Sequence, residues 1–313
     1  MSGEQKIHDL LVVGAGPAAL AAAIYTTRED IETVLMEKAV PGGLAAVTDW
    51  VDNYPGFPKG ISGLDLAENL RQQAERFGAQ IEMGEVTAIT KHPTFLEIET
   101  TDGPKKARAV LIATGTDWKK IGVPGEEEFY ARGVHYCATC DGAFYRDKKI
   151  VVVGGGNSAV QEALFLTKFA SHIDLLVRSK FKASDVLLHE LEKNKKIKVH
   201  LGTTTDEIVG ENGKVVRVVG TKNGKKVHFD TDGVFVFVGL KPNTAFLQNS
   251  KIKLDEIGFV ITNEGLETSM PGVFAAGDVR QGSTMQIASA VGEGATAALR
   301  IREHLEGTHQ PSY

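Results

Sequence analysis

Both cysteines of the 313-residue chain, Cys137 and Cys140, stand in the stretch GVHYCATCDGAF with two residues between them. Three chemistries use a pair at that spacing: metal ligation, a structural bridge and reversible disulfide exchange. Structural zinc takes four ligands, usually from a second cysteine pair or a histidine pair. Here only His135 lies close by, so no metal is assigned. A bridge closing so short a loop restrains little of the unfolded chain. Exchange requires two sulfurs on a short tether, one to attack a disulfide and one to resolve the mixed disulfide. The pair is read that way, with the spacing leaving open which sulfur attacks. Asp141 follows Cys140 directly and has two readings. If burial raises its pKa, it can exchange a proton with a departing thiolate; otherwise it is the first residue of an Asp-Gly turn with Gly142. His135 and Tyr136 are assigned to packing.

Two glycine-rich stretches have the spacing of a dinucleotide turn. In GAGPAA, Gly14 makes the tight turn, Gly16 lets backbone approach a pyrophosphate, and Ala19 takes the third small position against the strand. Glu37 stands 23 residues after Gly14, at the end of the following apolar run. A carboxylate there accepts hydrogen bonds from an unphosphorylated ribose and repels a 2′-phosphate, which suits FAD or NAD(H). In GGGNSA, Gly154, Gly156 and Ala159 repeat the spacing. The place of the acid is taken by VRSKFK, with Arg178, Ser179, Lys180 and Lys182. Basic groups at that point suit the extra phosphate of NADPH, although a solvated basic loop would read the same. One turn of each polarity suggests electron traffic between a flavin and a nicotinamide.

The elements that must position these residues follow from apolar patterning. IHDLLVV, the first glycine turn, an Ala-rich helix and ETVLMEK form a strand–turn–helix–strand unit. KIVVV, the second turn, its helix and HIDLLVRS repeat it 140 residues later. That interval is too long for a solenoid and suits two dinucleotide domains. Between them LDLAENLRQQAERFGAQ has helical spacing, and TFLEIETTDG reads as a strand ending in a turn. If the first unit needs the C-terminal stretch to complete its sheet, the second is an insertion with joints near Thr116 and Pro242. A net charge of −5 without a long basic run argues against nucleic acid as a partner. No apolar run is long enough for a membrane span. With no secretory pattern in the opening MSGEQKIHDLLVVGAG, a soluble cytoplasmic protein is expected.

In order along nearly its whole length, GAGPAAL, GGLAAVTDWVDNYPG, ATG at Ala113–Gly115, GVHYCATCDG, GGGNSA, GLKPNT and FAAGDV give the chain a family likeness. It resembles the low-molecular-weight, bacterial-type thioredoxin reductases, class II of the pyridine nucleotide-disulfide oxidoreductases. The cysteine segment carries most of the likeness, because it lies just before the second glycine turn. The resemblance implies an α/β fold of two Rossmann-like dinucleotide-binding domains of the three-layer FAD/NAD(P)-binding type, the second inserted into the first. Residues 1–115 and 243–313 would bind FAD, and residues 116–242 would bind NADPH and carry the redox pair.

The same resemblance implies the site residues. For FAD these are Gly14, Gly16, Pro17 and Ala18 at the turn, Glu37 and Lys38 after the second strand, and Gly43, Leu44 and Asn53 in the following loop. Val86, then Ala113, Thr114 and Gly115, and finally Gly277, Asp278, Gln286 and Ile287 complete the set, with Asp278 on the ribityl chain. For NADPH they are Gly154, Gly156, Asn157, Ser158, Ala159, Arg178, Ser179, Lys180 and Lys182. Cys137, Cys140 and Asp141 would do the chemistry. It further implies a homodimer, thioredoxin or a related small disulfide protein as substrate, and rotation of the two domains about the joints.

The chain departs from the pattern at several points. Val177, Arg178, Ser179 and Lys182 replace a His-Arg-Arg and a further Arg, Leu44 replaces a Gln, Met285 an Arg, and Leu240 a His. These changes motivate an alternative in which ferredoxin, NADH or another donor feeds the same dithiol. A redox-sensing flavoprotein without turnover is a third possibility.

Overall fold

Strand Ile7–Val13 alternates its buried side chains, Leu10 and Val12 toward one face and Leu11 and Val13 toward the other. This period of two places the strand inside a sheet covered on both sides. In the computed structural model, which describes residues 6–48 and 50–307, it is the centre of a seven-stranded sheet. Thr33–Glu37 and Lys105–Ile112 flank it in parallel, and Gln80–Met83 lies beyond the former. The end of Lys105–Ile112 pairs in parallel with Val273–Ala275, and its start pairs antiparallel with Leu96–Thr100, which in turn pairs with Val86–Lys91.

Helices Pro17–Thr27, Gly63–Arg76 and Ile287–Leu305 pack on the Leu10/Val12 face. The antiparallel meander covers the other with Val86, Ile89, Leu96 and Ile98. Helices, sheet and meander make three layers. Helix Gly63–Arg76 starts at Ser62, whose Oγ accepts the Asp65 N–H at 3.0 Å and so satisfies one of the free donors of the first turn.

The second unit repeats this plan. Val134–His135, Gly233–Val236, Lys149–Val153, His172–Val177 and Ile197–Leu201 form, in that order, a five-stranded parallel sheet. Helices Asn157–Leu166 and Asp185–Lys193 cover one face. The other face packs on an antiparallel sheet of Thr203–Glu211, Lys214–Lys222 and Lys225–Asp230. Its two hairpins turn through Asn212-Gly213 and Asn223-Gly224, all four residues at positive φ, as two-residue hairpin loops require.

The chain thus divides into two compact units, residues up to Asp117 with those from Lys241 onward, and Trp118–Leu240. The α/β class with two Rossmann-like units, one inserted in the other, is the architecture observed. No described helix is long and apolar enough to cross a membrane.

Candidate active site

Registry brings the first group of residues together. Val13 pairs with Met36 and with Ile112, and Ile112 pairs with Ala275, so four parallel strands end at one edge of the first unit's sheet. The loops leaving that edge carry Gly14–Pro17, Glu37–Lys38, Ala113–Gly115 and Gly277–Asp278. In an open α/β sheet, this carboxyl edge is where ligands bind.

At Gly14, φ is +103° and a Cβ would sit 2.7 Å from the Ala113 carbonyl oxygen, so only glycine closes the turn. Gly16 precedes helix Pro17–Thr27, and a Cβ there would meet nothing within 4 Å. The helix therefore opens onto free space, with Pro17 at its start and no side-chain cap over its first N–H groups. Glu37 is held by two backbone donors, Ala15 N–H at 2.7 Å and Ala39 N–H at 2.8 Å. Each oxygen keeps a lone pair for a further donor. Lys38 pairs with Glu85 on the surface. Gly43 starts a short helix, Gly43–Ala46, that includes the half-buried Leu44. Val86 buries its side chain in the core.

Asp278 has an unmatched acceptor: its Oδ1 is buried and has no hydrogen-bond partner among the described residues. Burial pushes this carboxyl up to about 6, with the Glu293 carboxylate adding to the rise and a Ser283 hydrogen bond opposing it. Glu293 accepts Gly277 N–H at 2.8 Å and forms a two-oxygen pair with Arg280, which fixes the Asp278 loop. Sequence reasoning missed this brace, because nothing in helix Ile287–Leu305 marks one glutamate as inward-facing. Gln286, just ahead of that helix and of Ile287, accepts from Asn53 Nδ2 at 3.0 Å, across 233 residues of chain. Thr114 and Asn243 bond reciprocally, Thr114 Oγ1 to Asn243 O at 2.8 Å and Asn243 Nδ2 to Thr114 O at 3.1 Å.

In the second unit Gly154, at φ +148°, would drive a Cβ to 2.4 Å from the Phe237 carbonyl oxygen. Gly156 again faces open space ahead of helix Asn157–Leu166, whose first turn holds Asn157, Ser158 and the buried Ala159. The basic loop is docked to the turn by Lys182 N–H on Gly155 O at 2.7 Å and Ser184 N–H on Asn157 Oδ1 at 2.8 Å. Arg178, Ser179, Lys180 and Lys182 are exposed, and among the described residues none of the three cations is ion-paired. They are three uncommitted positive charges beside a helix N-terminus.

Cys137 and Cys140 form a disulfide, half-buried at both ends. Cys137 precedes the one-turn helix Ala138–Asp141, and its sulfur accepts Cys140 N–H at 3.2 Å. Among the described residues Asp141 makes no side-chain hydrogen bond to the turn backbone; its Oδ2 lies 3.3 Å from Nδ1 of the buried His135. His135 Nε2 is 2.7 Å from the Tyr145 hydroxyl. Tyr136 donates to Glu126 at 2.7 Å, and Glu126 also accepts the N–H groups of Ile121 and Gly122, which ties the loop before the pair to the core. Among the described residues no group of three or more His, Cys, Asp or Glu side chains is placed to hold a metal ion.

A pyridine nucleotide-disulphide oxidoreductase family model matches residues 8–294. The chain belongs to that family. It is 42% identical over 306 residues to the thioredoxin reductase of Bacillus subtilis (strain 168), covering 97% of this chain and 96% of that one. It is 40% identical to that of Treponema pallidum (strain Nichols), covering 96% and 97%. The crystal structure of thioredoxin reductase from Streptococcus pyogenes superposes with a TM-score of 0.92 at 37% identity, over 97% of this chain and 100% of the other.

Proposed function

We propose that this protein is a thioredoxin-disulfide reductase that uses NADPH and FAD. The observation that carries the proposal is the Cys137–Cys140 disulfide, next to a dinucleotide turn with free cations, in a chain whose other unit has an acidic turn. FAD, when bound, accepts a hydride from NADPH and supplies the electron pair that opens a disulfide. The first unit fits it: the open helix end at Gly16 suits a pyrophosphate, Glu37 an adenosine ribose, and the orphan Oδ1 of Asp278 a hydroxyl donor. Asn53, Gln286 and Ile287 would line the ring, and Gly43, Leu44, Val86 and Ala113–Gly115 the rest of the groove. Arg178, Ser179, Lys180 and Lys182, beside Gly154–Ala159, would bind NADPH through its 2′-phosphate.

Cys137, whose sulfur accepts the Cys140 N–H at the start of the short helix, is the attacking sulfur in this reading. Cys140 then resolves the mixed disulfide, and Asp141 moves the protons. The segments 116–118 and 240–242 act as hinges. The reciprocal Thr114–Asn243 bonds end the rigid part of the first unit, and Lys119 N–H on Gly239 O begins that of the second. A disulfide that must be reduced again in every cycle suits a reducing compartment, which supports a cytoplasmic location, and the family likeness supports a homodimer. Steady-state oxidation of NADPH with a thioredoxin tests the proposal: turnover supports it, and its absence with flavin bound rejects it.

A further inference from the structure

His135 is an unusual core residue. It is 7% exposed, forms a three-ring cluster with Tyr145 and Phe235 at centroid distances of 5.3 and 5.2 Å, and directs each ring nitrogen at a different polar group. Tyr145 meets Nε2 at 2.7 Å and Asp141 meets Nδ1 at 3.3 Å. Asp141 in turn follows Cys140 and retains 21% side-chain exposure, so the set runs from the core to the rim of the disulfide. Packing alone would be served by an apolar ring at this position, without the cost of burying two ring nitrogens.

We propose that His135 is a positioning residue for proton transfer at the cysteine pair: Tyr145 holds its tautomer, and its Nδ1–H holds Oδ2 of Asp141, leaving Oδ1 to give and take the proton at sulfur. The inference rests on the reading of Cys137 and Cys140 as a redox pair. Tyr145 is suited to its part, because burial, with Asp141 and Asp232 nearby, pushes its phenol upward and keeps it an O–H donor. A donated O–H makes Nε2 an acceptor and puts the ring proton on Nδ1. The remaining titratable groups around the set are Tyr130, which feels the Asp141 charge, and Lys148, over the Tyr145 ring.

The proton balance closes. Cys137 thiolate attacks a disulfide RS–SR, forming Cys137–S–SR and RS⁻, and Asp141 Oδ1–H protonates RS⁻ to RSH. The carboxylate left behind is stabilised by His135 Nδ1–H. It then takes the proton of Cys140–SH; Cys140 sulfur displaces the second RS⁻, closing the Cys137–Cys140 bond, and Asp141 returns the proton to give the second RSH. The sum is one disulfide reduced and one protein dithiol oxidised. The same carboxyl oxygen acts three times, which is why its fixed orientation matters.

The test uses the full-length flavoprotein reduced with dithiothreitol, freed of reductant anaerobically and mixed with two small disulfides. Hydroxyethyl disulfide releases an alkyl thiolate, at least as basic as that of free cysteine with its pKa of about 8.5, that needs a proton. Dithiobis(nitrobenzoate) releases an aromatic thiolate that leaves as the anion. The rate is read on the first thiol released, the step before Cys140 must lose its proton. His135→Phe, which keeps an aromatic ring and loses the donor, is expected to slow the alkyl exchange by about tenfold or more and the aromatic exchange by less than about twofold. His135→Asn, which restores an N–H donor, should recover most of the loss. Tyr145→Phe should show the same contrast more weakly, and it carries the test if melting shows that His135→Phe does not fold. Equal slowing of both disulfides in that first release, or no slowing of either, overturns the proposal. The exchange needs neither NADPH nor thioredoxin, so a failure of turnover with those substrates would count against the proposed function and not against this role of His135.

Discussion

Asp278 links cofactor binding to stability. Its folded pKa of about 6 lies above the ordinary value of 3.8, through burial first and the Glu293 charge second. A raised carboxyl stabilises the cofactor-free fold fully below the unfolded value, and that contribution is lost as pH rises through the folded one. A gap of this size is worth about 3 kcal/mol. Asp278→Asn should therefore flatten the fall in stability of cofactor-free protein between about pH 4 and pH 6 and raise its melting temperature at neutral pH, while flavin retention drops. Melting curves across that range check this; an unchanged slope would contradict it. At the cysteines, Cys137→Ser and Cys140→Ser should each abolish thioredoxin reduction by at least about a thousandfold and leave flavin bound in the other unit. Thioredoxin turnover, read beside the flavin spectrum, decides this.

At the scale of elements, the two glycine turns serve separate units and should fail separately. Gly154→Ala places a Cβ 2.4 Å from the Phe237 carbonyl oxygen at φ +148°, a conformation alanine avoids. It should cost at least about 2 kcal/mol locally and abolish reduction by NADPH while the yellow flavin spectrum persists. In the neighbouring loop, replacing Arg178 and Lys182 together by Ala should raise KM for NADPH by about tenfold or more and leave KM for NADH nearly unchanged. Equal effects on both nucleotides, measured by initial rates, would remove 2′-phosphate recognition from this loop. These turns were legible in the sequence because strand, glycines and helix are contiguous, and Glu37 was legible because an acid at a strand end is a local signal. The tie from Tyr145 through His135 to Asp141 was not, since it depends on two short helices folding ten residues back on themselves. Nor were the Arg280–Glu293 brace and the orphan oxygen of Asp278, which arise from tertiary packing. The antiparallel sheet over 203–230 is a charged, alternating stretch without chemical motifs, and only its Asn-Gly turns mark it.

The whole molecule joins an acidic nucleotide turn in one unit to a basic turn and a disulfide in the other, through two short connecting segments. Neither unit completes the chemistry alone, because the site suited to flavin and the redox pair belong to different units. Electrons from NADPH must therefore cross between units to reach Cys137 and Cys140, and the sulfurs must then meet an external disulfide. The most direct test is an anaerobic titration of the purified flavoprotein with NADPH, following flavin absorbance and counting free thiols. The expected result is bleaching of the flavin band together with two new thiols per chain, both lost again when oxidised thioredoxin is added. A flavin that NADPH leaves oxidised, or one that bleaches while the Cys137–Cys140 disulfide stays closed, would contradict the proposed electron path.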